Sequence, residues 1–232
     1  CNVPELMGLW RQVADVRTAA DLDLPVPSVV GGGPETVVVP GSDALAEYVA
    51  DLAERADRVR SRAVDPTEDN MLKITGDGRR AALDLRLVDH LPDPGGKLAV
   101  AAGRIARLWE QPRDRAFVDA AGSPSTRPGW LQLVFCDTST PSGDGWNAYD
   151  ELRSLLVARG LPRDGVRFVH EATTDEAKAK LFAACRDGRV AVLLGSTEKM
   201  GVGTNVQDRA VALHHLDCPW RPADIEQREG RI

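Results

Sequence analysis

From residue 131 to the end of the chain, short apolar runs alternate with segments of helical character. Strands are predicted over 131–136, 166–170, 190–194 and 210–213, and helices over 147–159, 175–186 and from 223 onward. Runs that are apolar throughout are typical of strands buried on both faces of a parallel sheet. This alternation predicts an α/β fold with three layers, in which helices cover both faces of a mainly parallel sheet.

The first 95 residues differ in character and predict a mostly helical extension. Helices are predicted over 4–20, 43–63 and within 69–88, and a short strand over 36–39. The Pro- and Gly-rich segment 92–96 separates this extension from a further helix predicted over 97–111. We therefore expect two regions, 1–95 and 96–232.

Charge and cysteine content exclude several classes of protein. A net charge of −6 argues against binding of nucleic acid through bulk positive charge. The four cysteines lack metal-ligand spacing, which favours free thiols in a reducing cytoplasm over disulfides or a zinc site. No apolar run reaches the roughly 20 residues of a membrane helix. We predict a cytoplasmic protein with no metal site and no membrane partner.

The loop after the third predicted strand contains the pair Gly201 and Gly203 among hydroxyl and amide side chains. In a doubly wound sheet, such loops at the carboxyl ends of strands carry function. Glycines let backbone N–H groups approach a phosphate, but ordinary turns use glycine equally well. A dinucleotide-binding fingerprint is excluded, because Val206 stands where its third glycine is required. By themselves, the residues leave both interpretations open.

The most specific signal lies in the last sixteen residues. A turn and the start of a helix carry a set of residues at fixed spacing: Asp217, Pro219, Trp220, Pro222, Gln227, Gly230 and Arg231. This set resembles the last motif of superfamily 2 helicases and translocases, particularly the SNF2-like branch, where Asp-x-x-Trp-Asn-Pro precedes Gln-x-x-Gly-Arg-x-x-Arg. Arg221 replaces the asparagine. The second arginine would lie beyond Ile232, so we expect the chain to stop inside this motif.

A second motif of the same family resembles the loop after the third predicted strand. The matching residues are Ser196, Thr197, Gly201, Gly203 and Asn205. By this resemblance, Ser196 and Thr197 would contact a nucleic-acid phosphate, whereas Gly201, Gly203 and Asn205 would face the nucleotide, as would Gly230. Thr138, after the first predicted strand, corresponds by position to a further motif. Its hydroxyl would either contact a strand phosphate or cap the turn.

The resemblance implies a RecA-like lobe that acts as the C-terminal motor lobe of an ATP-dependent DNA helicase or translocase. Within the family, helicases of phages and plasmids fused to DNA methylases are similar. Arg231 would be an arginine finger, since a guanidinium can clamp the γ-phosphate oxygens bidentately. Gln227 would orient the phosphate or an attacking water. DNA is the implied partner, and RNA stays open.

Two motifs of ATP-binding lobes are missing from the sequence. No Gly-x-x-x-x-Gly-Lys-Ser/Thr loop and no Asp-Glu box after a strand occur in it. ATP and Mg²⁺ would therefore be bound mainly by a separate N-terminal RecA-like lobe of the same polypeptide. We expect the chain alone to be inactive.

Two other functions stay open. A RecA-like lobe that has lost catalysis would act as a nucleic-acid or protein-binding module. The absence of a phosphate loop and an acidic box encoded before Cys1 would indicate such a module. A stand-alone α/β enzyme with a phosphate ligand at Gly201 and Gly203 would need a complete active site. No paired carboxylates, nucleophile–base pair or metal cluster supply one.

Charged residues elsewhere are predicted to be structural. Arginines and aspartates alternate over residues 77–89, which favours an ion-paired helix over a basic DNA-binding face. His214 and His215 follow an apolar run without an acidic or Cys partner at ligand spacing, so we expect them to end the strand.

Overall fold

The structure is a computed structural model that describes residues 2–15, 27–92, 95–111, 123–124, 129–141, 145–201 and 205–231. It divides into two compact units, Cys1–Val37 and Val38–Ile232. In the first unit, helix α1 (Val3–Val13) has a proline in its first turn and no buried residue. The predicted helix extended to residue 20, and residues 16–20 lie outside the described part.

A four-stranded sheet forms the centre of the second unit. Its strands are β1 (Leu131–Phe135), β2 (Val166–Phe168), β3 (Val192–Gly195) and β4 (Ala210–His215). They lie in the order β2-β3-β1-β4, and all three pairings are parallel. Both neighbours of β1 are distant in sequence, so its pairing requires helical crossovers.

Helices cover both faces of the sheet. On one face, α4 (Lys97–Glu110) and α5 (Ala148–Val157) pack on alternate strand residues such as Val134 and Leu194. On the other, α6 (Asp175–Arg186) and the short α7 (Thr197–Gly201) cover Leu133 and Leu193. Successive strand residues point to opposite faces, so a continuous apolar run fills both cores. The predicted α/β class with a mostly helical N-terminal region is confirmed.

Side-chain caps start the helices at the predicted places. Asn147 Oδ1 accepts a hydrogen bond from the N–H of Asp150 (2.8 Å) at the start of α5. Thr174 Oγ1 accepts one from the N–H of Ala177 (3.1 Å) at the start of α6. Each cap satisfies a backbone donor that the first helical turn leaves without a partner.

The helical region before α4 contains α2 (Asp43–Arg60) and α3 (Met71–Leu83), followed by a 3₁₀ turn at Leu85–Val88. An ion-paired cluster joins the two helices: Arg55 contacts Asp69 at 2.8 Å and Asp77 at 3.0 Å. Arg80 also pairs with Asp77. The ion-paired interpretation is confirmed for Arg80 and for Arg86, which pairs with Asp84 at 2.8 Å, whereas Arg79 donates to the carbonyl of Cys218.

Two strand predictions were wrong in part or altogether. No strand forms over residues 36–39, where Val38 is 81% exposed and no neighbouring described segment pairs with it. The second strand ends at Phe168 instead of 170, because Glu171 Oε2 accepts hydrogen bonds from the N–H of Phe168 (3.4 Å) and from Arg167 (2.7 Å). These bonds turn the chain into a 3₁₀ turn at Val169–Glu171.

Candidate active site at the carboxyl edge of the sheet

Three neighbouring strands end at one edge of the sheet, and a polar residue stands two positions after each end. These residues are Asp137 after β1, Thr197 after β3 and Asp217 after β4. The strands lie in the order β3-β1-β4, so the three chain segments converge. In open parallel sheets, this edge is where ligands bind.

Arg228 of helix α8 (Pro222–Glu229) connects these strand ends and is completely buried. Its Nη2 donates to Asp137 Oδ2 at 2.7 Å and to Asp217 Oδ1 at 3.2 Å. Nε donates to Thr197 Oγ1 at 2.8 Å. Nη1 donates to the Asp217 carbonyl at 2.9 Å and lies 3.3 Å from His215 Nδ1. We call Arg228, Asp137, Asp217, Thr197 and His215 the Arg228 network.

The other oxygens of the two carboxylates accept bonds from the loops themselves. Asp217 Oδ2 accepts from the N–H groups of Asp137 (2.7 Å) and Thr138 (2.6 Å). Asp137 Oδ1 accepts from the N–H of Thr197 (2.6 Å), and its Oδ2 from the Thr197 hydroxyl (2.8 Å). The network therefore ties the loops after β1, β3 and β4 to α8 through charge-assisted hydrogen bonds.

Burial and charge act in opposite directions on the pKa of Asp137. Burial alone raises it, but the hydrogen bonds from Thr197 and the charge of Arg228 prevail and lower this pKa below its ordinary value. His215 has a lowered pKa, first because of burial and then because of Arg228. At neutral pH its imidazole is therefore uncharged, and Nδ1 can accept a hydrogen bond from Arg228.

His214, the neighbour of His215 in sequence, is held by a contact with buried Gln132. Gln132 Nε2 donates to the carbonyl of Ile105 at 2.9 Å, so its Oε1 is left to accept from His214 Nε2 at 2.9 Å. His214 thus carries its hydrogen on Nε2. Burial, which excludes the charged form, lowers the pKa of His214 to about 4. The two histidines end β4, as predicted, and His214 is a structural residue.

The three residues predicted to contact nucleic acid lie together at this edge. Ser196 Oγ accepts from the N–H of Lys199 (3.2 Å) and so caps α7. The N–H and the hydroxyl of Thr197 are bonded within the Arg228 network. Thr138 lies at the same edge, where its N–H donates a hydrogen bond to Asp217 Oδ2. Their predicted role in nucleic-acid binding stays a prediction.

The residues predicted to face a nucleotide are spread around the adjoining loop. Gly201 is the last residue of α7, and Gly203 lies outside the described residues. The carbonyl of Asn205 accepts from Arg186 Nη1 (2.8 Å), which attaches it to the end of α6. The carbonyl of Gly230 accepts from Gln207 Nε2 (3.0 Å), so this loop also reaches the end of α8.

Gln227 and Arg231 stand on either side of Arg228 in sequence. Gln227 lies in the last turn of α8 and Arg231 lies two residues beyond its end, whereas the side chain of Arg228 points into the network. The N–H of Arg231 donates to the carbonyl of Arg228 at 3.1 Å. The predicted finger residue is thus attached directly to the buried arginine.

Sequence reasoning missed the role of Arg228 and of the two carboxylates that bind it, although Asp217 belongs to the motif recognised in the sequence. Arg228 has the appearance of a surface charge on a polar helix, and Asp137 stands among hydroxyl residues that draw attention as phosphate ligands. The available signal was a carboxylate two residues after each of two predicted strands. Two such carboxylates at one edge require a cation between them.

The turn before α8 contacts the helical region. Arg79 Nη2 of α3 donates to the carbonyl of Cys218 at 2.8 Å, and its guanidinium lies 4.8 Å from the ring centre of Trp220. Arg221, which replaces the motif's asparagine, instead pairs with Asp224 at 2.7 Å. This turn is therefore supported from α3 on one side and from α8 on the other.

The described residues contain neither a metal-binding cluster nor a membrane-spanning helix. Within them, no group of three or more His, Cys, Asp and Glu side chains is arranged to hold a metal ion. In the same ranges, no helix has both the length and the apolar character to cross a bilayer.

The fold and the site define a RecA-like α/β lobe with a polar network at the carboxyl edge of its sheet. Residues 125–232 match the family model of the helicase conserved C-terminal domain, which supports a helicase-type C-terminal lobe for this part of the chain. Over 52 residues the chain is 38% identical to "Defense against restriction protein B" of Escherichia phage P1. That segment covers 22% of this chain and 2% of the phage protein.

Proposed function

We propose that residues 96–232 are the C-terminal motor lobe of an ATP-dependent DNA helicase or translocase of superfamily 2, in its SNF2-like branch. Residues 1–95 would belong to the region that joins the two motor lobes. The observation that carries the proposal is the placement of Gln227 in the last turn of α8 and of Arg231 just beyond it, next to an arginine that anchors this helix to three strand ends.

Arg231 would act as an arginine finger on ATP held by a separate N-terminal lobe. Charge develops on the γ-phosphate oxygens during phosphoryl transfer, and a planar guanidinium stabilises it bidentately. Such a residue works only when the two lobes close, so hydrolysis becomes coupled to domain motion. Gln227, in the last turn of α8, would orient the phosphate or the attacking water.

The partner lobe would supply most of the nucleotide and magnesium contacts. Gly201, Gly203, Asn205 and Gly230 would border the nucleotide from this side. The protein would act in the cytoplasm, where ATP and Mg²⁺ are abundant. The free thiols of Cys136, Cys185 and Cys218 agree with such a reducing compartment.

DNA would bind along the loops after β1 and β3, and the parent would resemble phage and plasmid helicases. Ser196 Oγ accepts the hydrogen bond from Lys199, so its hydroxyl hydrogen can still donate to a phosphate oxygen. Thr138 stands on the neighbouring loop. Contacts of this kind from a few hydroxyl and backbone groups position one strand without requiring a positive net charge.

The experiment is DNA-stimulated ATP hydrolysis by the polypeptide that contains this chain together with its N-terminal lobe. We expect strong stimulation by DNA in the wild type, and a loss of about 10³-fold or more in Arg231→Ala. Arg221→Ala is the matched control, because that arginine belongs to the same turn and helix but has a side chain that is 78% exposed. It should retain the wild-type rate.

Two results would refute the proposal. Equal rates in the wild type and Arg231→Ala would remove Arg231 from the reaction. Absence of hydrolysis in all three proteins, with retained DNA binding, would favour a RecA-like module that binds nucleic acid without catalysis.

A further inference from the structure

The hydroxyl of Thr197 is fully engaged inside the protein. Its single hydrogen is donated to Asp137 Oδ2 at 2.8 Å, and its oxygen accepts the Nε–H of Arg228 at 2.8 Å. The N–H of Thr197 donates to Asp137 Oδ1 at 2.6 Å. A phosphate oxygen is only an acceptor, so it could take a bond from Thr197 only by displacing Asp137.

Helix α8 depends on this polar contact to an unusual degree. It has eight residues, and Arg228 is the one residue in it that is buried. Helices this short are marginal in water without tertiary contacts. Most helices are held by an apolar face, but the buried anchor of α8 is a guanidinium. A change in its hydrogen-bond partners therefore acts directly on the position of α8.

Thr197 is the point where α8 meets the loop after β3. Arg228 donates toward Asp137, Asp217 and Thr197, and the two aspartates supply its counter-charges. Without the Thr197 hydroxyl, the Nε–H of Arg228 would be buried without its acceptor. Such a loss costs more than the bond itself contributes, because the polar group cannot regain water.

We infer that Arg228 and Thr197 form a positioning pair for the proposed hydrolysis: Thr197 holds Arg228, and Arg228 orients the end of α8, which contains Gln227 and to which the N–H of Arg231 is bonded. Thr197 then acts on the ATP side of the lobe and is not a nucleic-acid ligand. The inference rests on the proposed function for its catalytic consequence, whereas the anchoring of α8 is independent of it.

The first test measures hydrogen exchange of the backbone amides of α8 in the 232-residue chain. Thr197→Val keeps the shape of the side chain and removes the hydroxyl, and Thr197→Ser keeps the hydroxyl. We expect amides of α8 to exchange about tenfold faster in the valine variant. The serine variant should recover most of this protection. Thr75→Val is the matched control, because the Thr75 hydroxyl bonds the carbonyl of Met71 in α3, outside the network.

The second test measures DNA-stimulated hydrolysis in the polypeptide with its N-terminal lobe. Thr197→Val should lower kcat by about tenfold or more, without changing the DNA concentration that gives half-maximal stimulation. Thr197→Ser should regain most of kcat. Arg228→Lys keeps the charge but lacks the guanidinium fork, so it should lower kcat as Thr197→Val does. It replaces Thr197→Val in this test if the valine variant does not fold.

The possible outcomes separate the two proposals. A raised half-maximal DNA concentration with unchanged kcat and unchanged α8 exchange would make Thr197 a nucleic-acid ligand and overturn the inference. Unchanged α8 exchange in both Thr197→Val and Arg228→Lys would also overturn it. Absence of hydrolysis in the wild type refutes the proposed function, and the exchange data then still decide whether Thr197 anchors α8.

Discussion

Replacement of Arg228 by methionine should destabilise the protein strongly, because it removes the cation between two carboxylates. Methionine is apolar and of similar length, so the substitution removes charge and hydrogen bonds with little loss of volume. Asp137 and Asp217 would then face each other without a counter-charge. The Thr197 hydroxyl would lose its donor as well.

The magnitude follows from the burial of the partners. Removal of one partner from a buried ion pair costs about 3–5 kcal/mol. The side chain of Asp217 is 7% exposed but that of Asp137 is 30% exposed, so water screens part of the repulsion. We therefore expect a loss of about 3 kcal/mol in the free energy of unfolding. For a unit of this size, that corresponds to a decrease in Tm of about 6–12 °C.

Urea denaturation followed by circular dichroism measures this loss. Arg221→Met is the control, since the exposed pair of Arg221 with Asp224 should contribute less than about 1 kcal/mol. The lowered pKa of Asp137 stabilises the wild type above the ordinary pKa of a carboxyl, and this contribution is lost as pH falls through the lowered value. The difference between wild type and Arg228→Met should therefore shrink below about pH 4. Equal losses in Arg228→Met and Arg221→Met would refute the reasoning.

Three further predictions concern stability. The pKa of His214 falls from 6.5 to about 4 on folding, so the unfolded state takes up the proton first as pH drops. The free energy of unfolding should therefore decrease by on the order of 3 kcal/mol between pH 6.5 and about 4. Urea denaturation at several pH values should show a smaller decrease for His214→Gln, and an equal dependence on pH in both proteins would contradict this. Gly195→Ala would place a Cβ 2.9 Å from the sulfur of buried Met200 and 3.2 Å from Val169 Cγ2, so it should cost about 1–3 kcal/mol, and an unchanged Tm would argue against such tight packing. Gly103→Ala in α4 meets no atom within 4 Å and should stabilise by about 0.5–1 kcal/mol in the same assay, where a lowered Tm would be contrary to expectation.

Much of the fold can be predicted from local signals. The run that became β1 is apolar at nearly every position, which already indicates burial on both faces. The caps Asn147 and Thr174 mark the starts of α5 and α6, because their side chains satisfy donors within three residues. The strand expected over 36–39 shows the limit of such signals. A β-branched run becomes a strand only if another strand pairs with it.

The candidate site is predictable in its location but not in its connections. Ser196, Thr197 and Thr138 meet at one edge, as expected for residues that follow parallel strands. Arg228 could not be distinguished from the exposed charges of α8 by its sequence context. Its burial depends on Asp137, which is 91 residues away in sequence.

The sequence indicates where most of the elements lie, because apolar runs, caps and glycines act over a few residues. The motif spacing also places Gln227 within α8 and Arg231 just beyond it. Only the tertiary structure decided that β4 lies beside β1, and hence that Asp137 and Asp217 share one cation. The physical reason is that strand order and the burial of a charge depend on contacts between distant segments, whose energies no local pattern encodes.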